Sequence, residues 1–143
     1  MFKKILVAYD GSAHAQNALE VAIDLAQKYS SFIGVVSVIN LPDFAGTVSE
    51  VDDIMMKANE FYREHHAQVA NLLQQNQVPF QLHIEYGHSG NKIVKFAGEN
   101  KFNLILTGAR GHNKIQQIIL GSTSSYIVQH APCAVMVIKQ LQL

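Results

Sequence analysis

The chain has 143 residues, which suits one domain spanning residues 1–143 that buries about two-thirds of the surface its unfolded form exposes. Eleven basic residues balance eleven acidic ones, so the charge pattern implies neither a nucleic-acid partner nor an anionic membrane surface. Hydrophobic residues at 48% and charged ones at 15% are globular proportions, and zero net charge does little to oppose self-association.

Met1 to Lys4 has the charge of a signal-peptide start, but the apolar run that follows, Ile5 to Tyr9, stops at Asp10 and is too short for an h-region. No segment approaches the ~20 apolar residues of a membrane span, and a cytoplasmic protein is expected. Near-continuous apolarity makes Ile5 to Tyr9 a strand covered on both faces, as in a parallel sheet. Asp10-Gly11-Ser12 turns the chain, and Ser12 can cap a helix carrying Ala15, Ala18, Leu19, Ala22, Leu25 and Ala26 at helical spacing. Phe32 to Ile39 is the second strand, completing a βαβ unit with a right-handed crossover. Asn40 to Glu50, with Pro42 and Gly46, is a loop whose apolar Leu41 and Phe44 suit either a flap or a merely long connection. Val51 to Gln75 is one long helix, and its stripe of Ile54, Met55, Ala58, Phe61, Tyr62, Val69, Leu72 and Leu73 is expected in the core.

Phe80 to Tyr86 forms the third strand, and Gly87-His88-Ser89-Gly90 turns into a helix with Ile93, Val94 and Phe96 inward, closed by Gly98. The fourth strand is Phe102 to Thr107, Lys114 to Leu120 is a short helical turn, Ser122 to His130 a helix, and Cys133 to Ile138 the fifth strand. The one cysteine, Cys133, excludes an internal disulfide, fits a reducing compartment, and lies in a Val/Ile-rich run that suits an inert thiol. Strands alternating with helices throughout make a single α/β fold.

Chemistry concentrates between Asn103 and Ser125. A strand there ends at Gly108; Gly111 and Gly121 follow, and then Ser122, Thr123, Ser124 and Ser125 in a row. A glycine at a strand end lets the backbone turn through φ > 0 and approach a ligand. Hydroxyls at a helix N-terminus mark the place where free N–H groups and the positive dipole end attract phosphate. Together they describe an anion cradle, although turn glycines and a Ser-capped helix would leave the same trace.

At these residues the chain resembles the universal stress protein family, in its nucleotide-binding branch. That branch is marked by G-x2-G-x9-G-[S/T], which Gly108, Gly111, Gly121 and Ser122 match. Lys3 to Ser12 resembles the family's opening strand and turn, and Ala131 to Ile138 its closing segment. The resemblance implies a Rossmann-like open five-stranded parallel sheet, order 3-2-1-4-5, with helices on both faces. Ligands bind such sheets where the strand order reverses, here between the strands ending near Asp10 and Gly108. It further implies ATP, with Mg2+, as the ligand. Asp10 would lie near the ribose and any bound Mg2+, and Val38 beneath the adenine. Gly108, Gly111, Gly121, Ser122 and Ser124 would hold the phosphates, with Ala8, Thr107 and Thr123 beside them. Arg110, between two of the glycines, can act as a phosphate clamp or remain solvated.

Other nucleotide folds fit less well: the chain has neither G-x-x-x-x-G-K-[ST] nor a G-x-G-x-x-G after the first strand, and no acid closes the second strand. Asp10 stands alone after the first strand, against the clustered acids of a receiver domain. Of the seven histidines, His65 and His66 are adjacent and point to different sides of their helix, and His83 and His88 lack a further ligand. His14 and His112 are close in sequence to the proposed site.

Two functional classes follow. One is a nucleotide-dependent regulatory protein of the stress response with little or no hydrolysis; the other is a slow ATPase or adenylate-using enzyme on a related fold. No residue stands out as a general base, which favours the first. The implied strand order also places Ala134 to Ile138 at a sheet edge without charge until Lys139. A bare apolar edge needs cover, so a two-fold homodimer through this strand is expected, the alternative being cover by the chain's own tail, Gln140 to Leu143.

Overall fold

The computed structural model describes residues 1–40, 46–110 and 120–139. Its strands are β1 (Lys4–Ala8), β2 (Phe32–Ile39), β3 (Phe80–Tyr86), β4 (Leu104–Gly108) and β5 (Ala134–Ile138). Its helices are α1 (Ala13–Tyr29), α2 (Val48–Gln75), α3 (Ser89–Glu99) and α4 (Ser122–His130). All the strands are parallel, in the order β3-β2-β1-β4-β5. The α/β expectation therefore holds down to strand order.

Side-chain alternation explains the two cores. Ile5 and Val7 of β1 join Leu19, Ile23, Val69 and Leu73 on the α1/α2 face, whereas Leu6 and Ala8 join Ile93, Phe96 and Ile127 on the α3/α4 face. β1, covered on both sides, is apolar at Ile5, Leu6, Val7 and Ala8, all buried. Edge strand β5 is different: Ala134 is exposed, Val135, Met136 and Val137 are half-buried, and Ile138 is buried.

Several helix boundaries have a local cause. Ser12 accepts the Ala15 N–H at 3.2 Å and starts α1, and left-handed Ser30 ends it. α2 begins three residues before the expected Val51 because Thr47 and Glu50 form a reciprocal capping box. α3 runs through Gly98, the expected closing glycine, to Glu99, and the left-handed turn comes at Lys101, φ 56°.

The apolar stripe of α2 divides. Val69 and Leu73 are in the core, but Ile54 and Phe61 are exposed, and Met55, Ala58, Tyr62 and Leu72 are only half-buried. Length accounts for this. A helix of 28 residues extends ~42 Å, whereas the eight residues of β2 reach only ~26 Å. Helix and strand are covered together at the helix's C-terminal end, and the N-terminal turns of α2 run past the carboxyl edge of the sheet.

Candidate functional site: the crevice at the carboxyl ends of β1 and β4

β1 pairs with β2 on one side and β4 on the other, so the chain leaves the sheet in opposite directions after the two central strands. Their carboxyl ends border a cavity of about 300 Å³, a size that suits a small ligand. Ala8, Asp10, Val38, Thr107, Gly108, Arg110, Gly121, Ser122, Thr123 and Ser124 all line it. Gly111 and His112 lie outside the described residues, as do Leu41 and Phe44 of the expected flap and residues 114–119 of the short helical turn.

The β1 exit is a tight turn. Asp10 Oδ1 accepts the Ser12 N–H at 2.9 Å, Gly11 takes φ 81°, and Ser12 caps α1. Asp10 thus shapes the turn as well as bordering the crevice. Tyr9, just before it, hydrogen-bonds Gln16 Oε1 at 3.1 Å, and burial followed by the Asp10 charge raises its pKa.

Neither Gly108 nor Gly121 takes positive φ. Among the described glycines only Gly11 and Gly87 have positive φ. A Cβ on Gly108 would stand 2.7 Å from His14 Cβ and 2.9 Å from its carbonyl carbon, so Gly108 lets the first turn of α1 press onto β4. Gly121 caps α4 in extended geometry, φ −69° and ψ 166°. This corrects the expectation of a φ > 0 turn at these two positions.

The mouth of α4 is tied to the β4 exit through one carbonyl. Ala109 O accepts the Gly121 N–H at 2.7 Å and the Ser124 hydroxyl at 3.0 Å. Ser124 is buried, and Gly121 O is its other acceptor, at 3.1 Å. Its proton therefore serves the fold, leaving the backbone N–H as the group Ser124 can offer a ligand. Gly121 has no side chain to cap the helix, and the first-turn N–H groups of α4 have no intrahelical acceptor. Half-buried Arg110 stands beside them and makes no hydrogen bond or ion pair among the described residues.

The opposite wall was not anticipated. Val36, Ile93, Asn40, Ser89 and Tyr62 join Val38 there, and Ser89 Oγ donates to Asn40 Oδ1 at 3.0 Å. Tyr62 arrives because α2 overshoots the sheet, which helical periodicity cannot reveal. Burial, and secondarily the Asp10 charge, push its phenol up to about 12. The only hint of Ser89 was its position in the turn after the third strand.

The histidines are mostly accounted for by packing. His66 is buried against Ser37, His83 lies against the Phe96 ring with centroids 4.6 Å apart, and His65 packs on Phe61 at 4.3 Å. His14 is outside the crevice lining; its Nδ1 is buried with no partner among the described residues. No group of three or more metal-ligating side chains occurs among the described residues, and no described helix is long and apolar enough to cross a membrane. Cys133 is half-buried, with its thiol pKa raised by burial.

The sequence profile of the Universal stress protein family matches residues 1–139. The chain belongs to that family. A putative universal stress protein of Staphylococcus haemolyticus is 32% identical over 143 residues, covering 96% of this chain and 85% of its own. The solved universal stress protein UspA of Lactobacillus plantarum superposes with a TM-score of 0.85 at 27% identity, over 96% of this chain and 97% of that one. A universal stress protein family member of Arabidopsis thaliana, solved with AMP bound, shares the fold at TM-score 0.70 and 16% identity, over 97% of this chain and 92% of that one.

Proposed function

We propose that the crevice binds ATP and that this universal stress protein acts as a nucleotide-dependent regulator with little or no hydrolysis. The observation that carries the reading is the order of chemistry across the cavity. Apolar Val36, Val38 and Ile93 lie on the β2 side, Asp10 lies at the end of β1, and Arg110 and the open N-terminus of α4 lie beyond β4. A base, a sugar and a polyphosphate require that sequence of surfaces: apolar contact, a hydroxyl acceptor, and oriented N–H groups with a cation. AMP in the Arabidopsis relative supports a nucleotide on this fold. In this reading Gly108, Gly121 and the N–H groups of Ser122, Thr123 and Ser124 hold phosphate, Gly111 completes the loop, and Ala8 and Thr107 form the floor.

Mg2+ prefers one or two carboxylates together with phosphate oxygens and water. Asp10, the one carboxylate in the described lining, fits such a partly hydrated ion. The cation would offset phosphate charge when bound. Asp10 is assigned to sugar and metal, which leaves the described α4 end without a carboxylate to activate water. Slow turnover or none is therefore expected.

Calorimetric titration with ATP, with and without Mg2+, tests binding, and a steady-state phosphate-release assay separates the regulator from an enzyme. Saturable binding with negligible turnover supports the proposal. If ATP and ADP both fail to bind and a fresh preparation releases no nucleotide on denaturation, the proposal is wrong.

We further propose a two-fold homodimer through β5. The strand is at the sheet edge, and Ala134 to Val137 are exposed or half-buried with no charged side chain. Light scattering during gel filtration tests the assembly.

A further inference from the structure

Tyr62 is a side chain the nucleotide reading has not used. It lies on the part of α2 that overshoots the sheet, yet it lines the crevice together with Asp10. Its ring is held from two sides: it meets Phe61 edge-on with centroids 5.0 Å apart and lies 6.2 Å from the His66 ring. The side chain is half-buried, but its hydroxyl makes no hydrogen bond among the described residues. A packed ring that lines a ligand cavity, with a hydroxyl uncommitted among the described residues, can take up a ligand contact at low cost, because little rotamer freedom remains to be lost.

The neighbouring group defines the partner. Asp10 offers oxygen acceptors only, whereas Tyr62, kept protonated in this setting, both donates and accepts. Asp10 leaves β1 between Val38 on β2 and the β4 exit, where a nucleotide sugar would come to rest, and Tyr62 lines the same crevice close enough to feel the Asp10 charge. A vicinal diol presents two hydroxyls that can each donate and accept, so the two side chains can engage one each. A deoxy sugar leaves one of them unmatched.

We propose that the Tyr62 hydroxyl hydrogen-bonds a ribose hydroxyl of the bound nucleotide beside Asp10, so that the site selects ribonucleotides over deoxyribonucleotides. This rests on the nucleotide reading and adds to it a sugar-specificity residue supplied by α2.

The test is calorimetric titration of the full chain, wild type and Tyr62→Phe, with ATP, 2′-deoxy-ATP and 3′-deoxy-ATP. Phe keeps the ring and its packing and removes only the hydroxyl; ligand-free melting temperatures establish that both proteins fold alike. Loss of one neutral hydrogen bond should weaken ATP binding about fivefold. Toward the deoxy analogue that lacks the contacted hydroxyl, wild type and variant should bind equally. Equal affinity of both proteins for ATP would overturn the proposal, as would the same loss on all three nucleotides. The wild type alone supplies an independent arm: if it binds both deoxy analogues as tightly as ATP, there is no sugar selection. A wild type that binds none of the three rejects the nucleotide reading itself, and this inference with it.

Discussion

The Ser37 hydroxyl of β2 lies 2.8 Å from Nε2 of His66 on α2, inside the protein. Ser37 donates its proton to the Tyr9 carbonyl, so its oxygen accepts from His66, and the imidazole is the neutral Nε2–H form. Three elements that border the crevice are joined in this way: the β1 exit, β2 and the overshooting helix.

That bond makes stability depend on acid. Burial, followed by the charges of His65 and His83, lowers the His66 pKa from 6.5 to about 4. As pH falls through 6.5 the unfolded imidazole gains a proton that the folded one refuses until about pH 4. The unfolded state therefore binds more protons in that window, and stability falls with decreasing pH by at most about 3 kcal/mol. His83, lowered mainly by burial, adds in the same direction. Urea unfolding at pH 7, 6 and 5 should show the decline, and His66→Gln should flatten it. An unchanged slope in that variant would dissociate His66 from the effect.

Gly108 and Gly121 should respond differently to added side chains. Gly108→Ala forces a methyl to within 2.7–3.1 Å of His14 and Ala15 of α1, much of it backbone. Overpacking of this kind costs about 1–3 kcal/mol. At Gly121 a Cβ meets only ordinary contacts, the shortest 3.5 Å to Ala109 O, and φ is already negative. Gly121→Val should fold and narrow the α4 mouth. Thermal unfolding should therefore show Gly108→Ala destabilised without ligand, and Gly121→Val stable but no longer stabilised by Mg-ATP. Wild type at a hundredfold excess of ligand over Kd should gain about 2.7 kcal/mol.

Arg110 should matter to charge and little to folding, since it makes no hydrogen bond or ion pair among the described residues. Arg110→Ala should weaken ATP binding about tenfold or more, the scale of a charged hydrogen bond, and leave adenosine binding unchanged. Added salt should shrink the difference between wild type and variant for ATP. A similar loss with adenosine would place Arg110 away from the phosphates.

The dimer should fail when its edge is charged. Val135→Lys with Val137→Lys should give monomers or insoluble protein, because a parallel apolar edge loses its match. A soluble dimer unaltered by both changes would exclude β5 as the interface.

Period and punctuation alone were sufficient for much of the architecture. The bounds of β2, β3 and α4 follow from apolar runs and the turn residues beside them. Glycine spacing pointed to the β4 exit and the α4 mouth, both of which line the crevice. What Gly108 avoids was not legible: His14, 94 positions before it, meets it only once α1 lies on β4. The same holds for Tyr62. Its place in the apolar stripe is set by a period of 3.6, but burial depends on whether the sheet extends that far. At Val69 and Leu73 it does, and they enter the core; at Ile54 and Phe61 it does not, and they remain exposed. Tyr62 falls where the sheet has ended and the crevice begins. Local sequence thus determines which side of a helix is apolar, and the relative lengths of helix and strand determine how much of that side becomes core and how much becomes the wall of a site.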